Sequence, residues 1–312
     1  APPAPAADRP VPAFAVECLG QQIGVIADRF YGHPSQALQV IGITGTDGKT
    51  SCSQFLAAAL DRPDARCAVF GTLGYGLYGA LAPATHTTPD AVRLHGLLAE
   101  ALEQRAQYAV MEVSSHALDQ GRVNGVHFDT AVLTNLTRDH LDYHGDEAAY
   151  ARAKRRLFQV PGLRMAVLNL DDAFGQSLLQ TLSDDVVCVG YGLQAGVPQQ
   201  GCRHYVFGTD LQLNGDGFVM QVRSSWGEGR VQSALLGSFN ASNLLAVLAV
   251  LLSGGMPFED AMARVQMLPP VPGRMERFGG DGRPTVVVDY AHTPEALRHV
   301  LQALRAHCEG EL

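Results

Sequence analysis

The chain has 312 residues, 46% hydrophobic and 17% charged, with a formal net charge of -8. This length gives room for roughly two domains with ample core. The acidic balance argues against a general nucleic-acid or membrane-surface role, because both partners reward a basic face, so any phosphate binding must be local.

The head, residues 1–12, is rich in Ala and Pro and lacks the basic start and apolar centre of a signal peptide; it reads as a linker. A buried strand is expected over residues 38–44 and a helix over 50–60, with Phe55, Leu56, Ala59 and Leu60 on one face. Further strands are expected at 67–70, 108–113, 130–133, 165–169 and 186–189, with helices between several of them. That alternation implies a mostly parallel sheet. From 202 to 235 the texture changes to short alternating strands, with Asn214-Gly215 and Asp216-Gly217 as turn signals, which reads as an antiparallel edge. Helices return at 241–252 and 258–267. A Pro/Gly break at 269–273 then precedes one strand, 285–290, and one helix, 294–307. The apolar face Leu297, Val300, Leu301 and Leu304 is more than a single strand can cover. The expected fold class is therefore α/β: a P-loop-type, mostly parallel sheet with an antiparallel edge over 37–268. Residues 269–312 follow as the first strand and helix of a truncated C-terminal α/β domain. The alternative for that segment is a terminal helix packed on the main sheet.

Only two of the 23 basic residues are lysines, Lys49 and Lys154. Lys49 lies in Gly45-Thr46-Asp47-Gly48-Lys49-Thr50, between the first expected strand and helix, where backbone N–H groups cradle phosphates. The turn is one residue tighter than the common Walker pattern, whose leading glycine would fall on Ile43. The chemistry still holds: Lys49 can neutralise the outer phosphates of a nucleotide, the Thr50 hydroxyl can ligate Mg²⁺, and the following helix N-terminus favours an anion. Glu112 ends an expected strand at the edge where α/β proteins place ligands, and is a candidate Mg²⁺ ligand; its alternative is a solvated strand-end charge. His116 can equally be a packed or capping histidine. A second cluster holds Asn135, Arg138, Asp139, His140, Asp142, His144 and Asp146. His140 and His144 have helical metal-ligand spacing, but no zinc motif surrounds them and Gly145 interrupts the helix, so magnesium is favoured over zinc.

Lys154 sits in Tyr150-Ala151-Arg152-Ala153-Lys154-Arg155-Arg156, where neighbouring cations should depress its pKa. A freed amine can take up CO₂, and the resulting carbamate could hold a second Mg²⁺ beside His140. Arginine cannot do this, being always protonated. The alternative is a surface lysine in a basic helical patch. The six cysteines have no paired metal or redox spacing, which favours reduced thiols and a cytoplasmic protein. No apolar run reaches the length of a membrane span.

Taken together these residues resemble the Mur ligases of peptidoglycan synthesis, in the branch that adds the third residue of the peptide. The loop Gly45 to Ser51 carries the superfamily signature. The branch is marked by His86-Thr87-Thr88-Pro89-Asp90, by Glu112 to Leu118 with Gln120 and Arg122, by Thr134 to Gly145, by Pro272 to Glu276, and by Asp289-Tyr290-Ala291-His292-Thr293-Pro294. The resemblance implies that Gly45, Thr46, Asp47, Gly48, Lys49, Thr50 and Ser51 serve ATP, with Lys49 catalytic. Thr50 and Glu112 would hold one Mg²⁺, and His140 with carbamylated Lys154 a second. Thr87, Thr88, Ser114, Gln120 and Arg122 would grip UDP-MurNAc-L-Ala-D-Glu. Asn240 and Asn243 would lie by the adenine, Asp289 by the ribose, and Arg274 near the nucleotide. The implied reaction is ATP-driven amide formation through an acyl phosphate, with a diamino acid as acceptor, in a monomer that needs neither nucleic acid nor membrane.

The resemblance has two departures. Asp47 stands where the family usually carries asparagine, which should weaken nucleotide binding. The family's uridine-binding domain would be represented only by a tail within residues 1–36, and its C-terminal domain by its opening. The missing part of the C-terminal domain would carry the loop that selects the amino acid, so meso-diaminopimelate is expected over L-lysine only as the commoner choice, and the chain alone is expected to turn over poorly. A folylpolyglutamate synthase-like ligase and a non-catalytic nucleotide-binding fragment are the rival readings.

Overall fold

The computed structural model of the chain describes residues 14–194, 201–280, 283–292, 294–308 and 310. In chain order the elements are α1 (Leu19–Phe30), β1 (Gln39–Thr44), α2 (Lys49–Leu60), β2 (Arg66–Gly71), β3 (Gly74–Leu77), α3 (Ala91–Glu103), β4 (Ala106–Glu112), α4 (Ser115–Asp119) and β5 (Thr130–Leu133). There follow α5 (Leu141–His144), α6 (Glu147–Arg155), β6 (Met165–Asn169), α7 (Ala173–Leu179), β7 (Val187–Gly192), β8 (His204–Asn214), β9 (Gly217–Ser224) and β10 (Gly227–Ser233). The chain continues through α8 (Ser238–Ser253), α9 (Phe258–Gln266), β11 (Glu276–Gly280), β12 (Arg283–Val288) and α10 (Pro294–His307).

The strands from β1 to β10 form one sheet in the order β10-β9-β8-β7-β6-β5-β1-β4-β2-β3. Pairings from β2 through β4, β1, β5, β6 and β7 to β8 are parallel. The edge β8-β9-β10 is antiparallel, turning at 214–217 as the glycine signals indicated. The mostly parallel sheet and its antiparallel edge are thus as expected. The opposite edge also ends antiparallel, at β3, which no periodicity announced in a strand of four residues containing two glycines.

Central strands with helices on both faces must be apolar throughout. In β1, Val40, Ile41 and Ile43 are all buried, and Gly42 leaves room for the Phe128 ring, which an added Cβ would meet at 2.7 Å. One face of the sheet packs beneath α2, α8 and α9, and the other beneath α3, α4, α7 and the turn after α6. Helix α8 is apolar nearly all round because it lies between α2 and strands β6 to β8.

The linker expected at 1–12 lies outside the described residues, while within the described part of residues 1–36 α1 packs on α3. Gly24 there approaches the Asn124 carbonyl so closely that an added Cβ would lie 2.1 Å from its oxygen. Glycine in a helix lowers local propensity. After the Pro/Gly break the chain forms a two-stranded hairpin, β11 with β12, where one strand was expected, and α10 follows it. Leu297 and Leu301 remain 50% and 45% exposed, so the hairpin leaves the apolar face of α10 uncovered, while His307 ties the helix end to Gly237 N and Asn214 O. Among the described residues no helix is long and apolar enough to cross a membrane.

Candidate functional site

The loop between β1 and α2 lies at the carboxyl edge of the sheet, where β5 and β4 flank β1 and ligands of α/β proteins bind. Two glycines shape it. Gly45 has φ +152°, and an added Cβ would fall 1.8 Å from Thr134 Oγ1; Gly48, at φ +82°, is the N-cap of α2. The segment after β5 holds the loop in place. Thr134 Oγ1 donates to the Asp47 carbonyl at 2.6 Å, Asp47 N to Asn135 Oδ1 at 2.9 Å, and Thr46 N to the Asn135 carbonyl at 3.0 Å. The loop leads into the N-terminus of α2 at Lys49, capped by Gly48 without a side-chain hydrogen bond, and the first amides of a helix favour an anion.

Lys49 Nζ folds back to donate to the carbonyls of Gly45 and Thr46 at 2.8 and 2.7 Å. Lys154 Nζ, arriving from α6, donates to the same Gly45 carbonyl at 2.7 Å. Lys154 is 1% exposed, which removes the surface-patch alternative. Its pKa lies well below the ordinary lysine value, and the first cause is burial, the second the Lys49 charge. The arginines beside it in sequence, invoked at first, are not the cause. Lys49 is also lowered, by burial, against the opposing pull of Glu112, Asp47 and Asp139.

Glu112, at the end of β4, is 0% exposed and not a solvated strand-end charge. Its carboxylate accepts from Thr50 Oγ1 at 2.9 Å, Thr72 N at 2.8 Å and Thr72 Oγ1 at 3.1 Å. Gly71 makes the slot, since a Cβ there would sit 2.1 Å from Glu112 Oε1. The donor chemistry suits magnesium, which takes one or two hard oxygen ligands and completes its shell with water and phosphate. Among the described residues no group of three or more His, Cys, Asp or Glu side chains is arranged to hold a metal, so a zinc-type cage is not formed.

The residues of the Thr87 and Ser114 segments meet beside Glu112. Thr87 Oγ1 lies 3.1 Å from Thr72 Oγ1, and Thr88 Oγ1 donates to the Glu112 carbonyl at 2.8 Å and lies 3.3 Å from Ser114 Oγ. Arg122 donates to the Thr88 carbonyl at 3.0 Å and to Gln120 Oε1 at 2.8 Å. His140, at φ +52°, precedes the short α5 and is half-exposed, with Nε2 3.3 Å from Asp139 Oδ2. No hydrogen bond or ion pair joins it to Lys154; both flank Tyr150, whose ring centre is 6.2 Å from the His140 ring and 4.5 Å from Lys154 Nζ. His116 packs among His140, Tyr143 and His144, and burial first, then the other imidazoles, holds it below the ordinary histidine range.

A cleft of about 310 Å³ opens beside the loop, lined by Asp47, Ser51, Asn243, Arg274 and Asp289 among others. Arg274 reaches to 3.4 Å from Thr50 Oγ1 and lies over the Tyr290 ring, while Asp289 accepts from Met275 N and Ala291 N. Asn243 lines the cleft and donates to Asn240 Oδ1 at 3.2 Å; Asn240 is buried behind it, bonded to the Leu236 carbonyl. Thr293, within the last quoted motif, lies outside the described residues. Gly71, Thr72 and Tyr150 were given no role from the sequence, and Thr134 was marked only as the start of the Thr134 to Gly145 segment. The Gly71-Thr72 pair after a strand was the available signal, and only the parallel pairing of β2 with β4 makes it meaningful.

Comparison with known proteins matches two family descriptions: Mur ligase middle domain over residues 43–251 and Mur ligase, glutamate ligase domain over 273–312. The UDP-N-acetylmuramoyl-L-alanyl-D-glutamate--2,6-diaminopimelate ligase of Alkalilimnicola ehrlichii is 55% identical over 300 residues, covering 96% of this chain and 59% of the relative. The protein of that name from Pseudomonas aeruginosa is 48% identical, covering 96% and 60%. A solved structure of a ligase so named superposes with a TM-score of 0.81 at 38% identity, covering 95% of this chain and 60% of that one. A folylpolyglutamate synthase from Mycobacterium tuberculosis shares the fold alone, at 20% identity and a TM-score of 0.71. The chain thus spans about three-fifths of the length of these diaminopimelate-ligase relatives, and it belongs to the Mur ligase family.

Proposed function

We propose that this chain is the ATP-binding part of a ligase that joins meso-diaminopimelate to UDP-MurNAc-L-Ala-D-Glu. The observation that carries the reading is the buried Lys154 amine, held at the Gly45 carbonyl beside the phosphate-loop Lys49. A nucleotide switch needs Lys49 alone, whereas a ligase must bring a carboxylate and a triphosphate together and offset two repelling anions. The similarity to diaminopimelate ligases at 55% and 48% identity favours diaminopimelate over L-lysine and over the folate branch.

In this reading ATP lies along the loop and the cleft, with Asn243, Arg274 and Asp289 on its nucleoside side and Lys49 at the outer phosphates. Thr87, Thr88, Ser114, Gln120 and Arg122 orient the muramoyl peptide. Its D-Glu carboxylate attacks the γ-phosphorus, the bond to the β-phosphate oxygen breaks, and ADP leaves an acyl phosphate. The amine of the diamino acid attacks the acyl carbon, loses a proton, and expels inorganic phosphate as the amide forms. Thr50 and Glu112 would hold one magnesium ion, and His140 with a Lys154 carbamate a second; when bound, such ions screen the phosphate charge. Burial and the Lys49 charge hold the Lys154 amine well below the ordinary lysine value, which suits it to capture CO₂, forming the N–C bond with loss of one proton from nitrogen.

The test is ¹³C NMR of the chain in labelled bicarbonate, with binding of Mg·ATP and of UDP-MurNAc-L-Ala-D-Glu measured alongside. A carbamate resonance absent from Lys154→Ala, together with binding of both ligands, supports the ligase. Folded protein that binds ATP but neither forms a carbamate nor binds the muramoyl peptide would leave a nucleotide-binding module instead.

A further inference from the structure

Cys188 and Cys202 have no motif spacing in sequence, yet the fold brings their sulfurs to 3.2 Å while both remain free thiols. Cys188 is the second residue of β7 and Cys202 lies two residues before β8; these strands pair in parallel with Val189 opposite His204. Arg203 N donates to the Cys188 carbonyl at 3.0 Å, so the backbone fixes the juxtaposition. Gly190 clears the space, since a Cβ there would lie 3.0 Å from Cys202 Sγ.

We propose that Cys188 and Cys202 form a dithiol modification site, which hydrogen peroxide converts into an intrachain disulfide joining the amino-terminal ends of β7 and β8. The sulfurs need to close by about 1.1 Å to reach bonding distance. Access is asymmetric in the way the chemistry requires. Cys202 is partly exposed and can meet the oxidant, while Cys188 is 2% exposed and is reached from within. Either thiol can donate to the other across this contact, and Cys202, the more exposed partner, is held below the ordinary thiol value by that bond against the opposing effect of burial, which suits it as the nucleophile. Cys52 and Cys67 are buried and pushed up by that burial, so they do not compete.

The Cys202 thiolate attacks one peroxide oxygen, the O–O bond breaks, and the departing hydroxide takes a proton to become water. The sulfenic acid so formed is attacked at sulfur by Cys188. The S–O bond breaks, hydroxide leaves and takes the Cys188 proton as a second water, and the S–S bond forms. Two thiols are oxidised and one hydrogen peroxide is reduced. The site lies at the amino-terminal edge of the sheet, opposite the phosphate loop, and is independent of the proposed ligase reaction.

The test is exposure of the chain to stoichiometric hydrogen peroxide, followed by non-reducing peptide mapping. The expected product is a linked Cys188–Cys202 peptide pair, reversed by dithiothreitol, with a raised denaturation midpoint in the oxidised protein. Cys202→Ser should abolish both effects, and Cys188→Ala should stop at a Cys202 sulfenic acid that dimedone traps. Over-oxidation of Cys202 to sulfinic acid without the linkage, or oxidation confined to the exposed Cys18, would overturn the proposal.

Discussion

Lys49 and Lys154, the only lysines in the chain, donate to one acceptor, the Gly45 carbonyl, at 2.8 and 2.7 Å. Two ammonium groups cannot share a buried carbonyl without mutual repulsion, so the arrangement favours a neutral Lys154 amine while Lys49 keeps its acidic neighbours.

Lys154→Arg keeps a cation but removes the amine that can become neutral. Ligation is expected to fall by at least about 100-fold, as for loss of a metal-ligating group, while ATP binding changes little. Product formation and nucleotide binding, measured separately, check this; equal losses in both would point to a phosphate-binding role instead.

The depressed lysines also set a pH dependence. Each has a folded pKa below its unfolded 10.5, so the unfolded chain holds more protons in between, and stability of the ligand-free protein rises with pH from the folded value up to 10.5. Within that window the gain is about 1.4 kcal/mol per pH unit for each such lysine. Denaturant titrations of wild type and Lys154→Met in carbonate-free buffer, from pH 7 to 10, should show a shallower rise in the variant. Parallel profiles would contradict the assignment.

Gly71→Ala places a methyl where Glu112 Oε1 now sits. Displacing a buried, hydrogen-bonded carboxylate costs about 2–4 kcal/mol, so a lower melting temperature is expected. Mg·ATP affinity should also drop by at least about tenfold, with metal-free ATP binding less affected. Calorimetry with and without magnesium separates the two effects.

Asp47 is exposed at the lip of the cleft beside the loop, and a carboxylate about 4 Å from a bound phosphate would cost on the order of 1 kcal/mol in water. Asp47→Asn should therefore tighten ATP binding about two- to tenfold, more at low ionic strength. An unchanged affinity across salt concentrations would show that Asp47 does not oppose the nucleotide.

Local chemistry was legible in the sequence wherever a few neighbouring residues dictate a backbone state. Gly45 and Gly48 adopt the left-handed conformations that the loop requires, and the glycine-bearing turn between β8 and β9 fell where its residues indicated. The apolar runs of β1, β5 and β6 also marked buried parallel strands. Helix α1 was not assigned although its 12 residues are amphipathic, whereas strands β3 and β11 were not legible because glycines and shortness erase their periodicity.

What a side chain does here was decided by the tertiary structure. Lys154 lies 109 residues from the carbonyl it meets, Thr72 lies 40 from the carboxylate it secures, and Cys188 meets Cys202 only because β7 and β8 pair in parallel. The sequence by itself determined the glycine-rich turn between β1 and α2 and which two lysines stand out. The crossover connections of the sheet decided that one of those lysines is buried against that loop, because burial and charge proximity, unlike backbone conformation, depend on partners that no local spacing encodes.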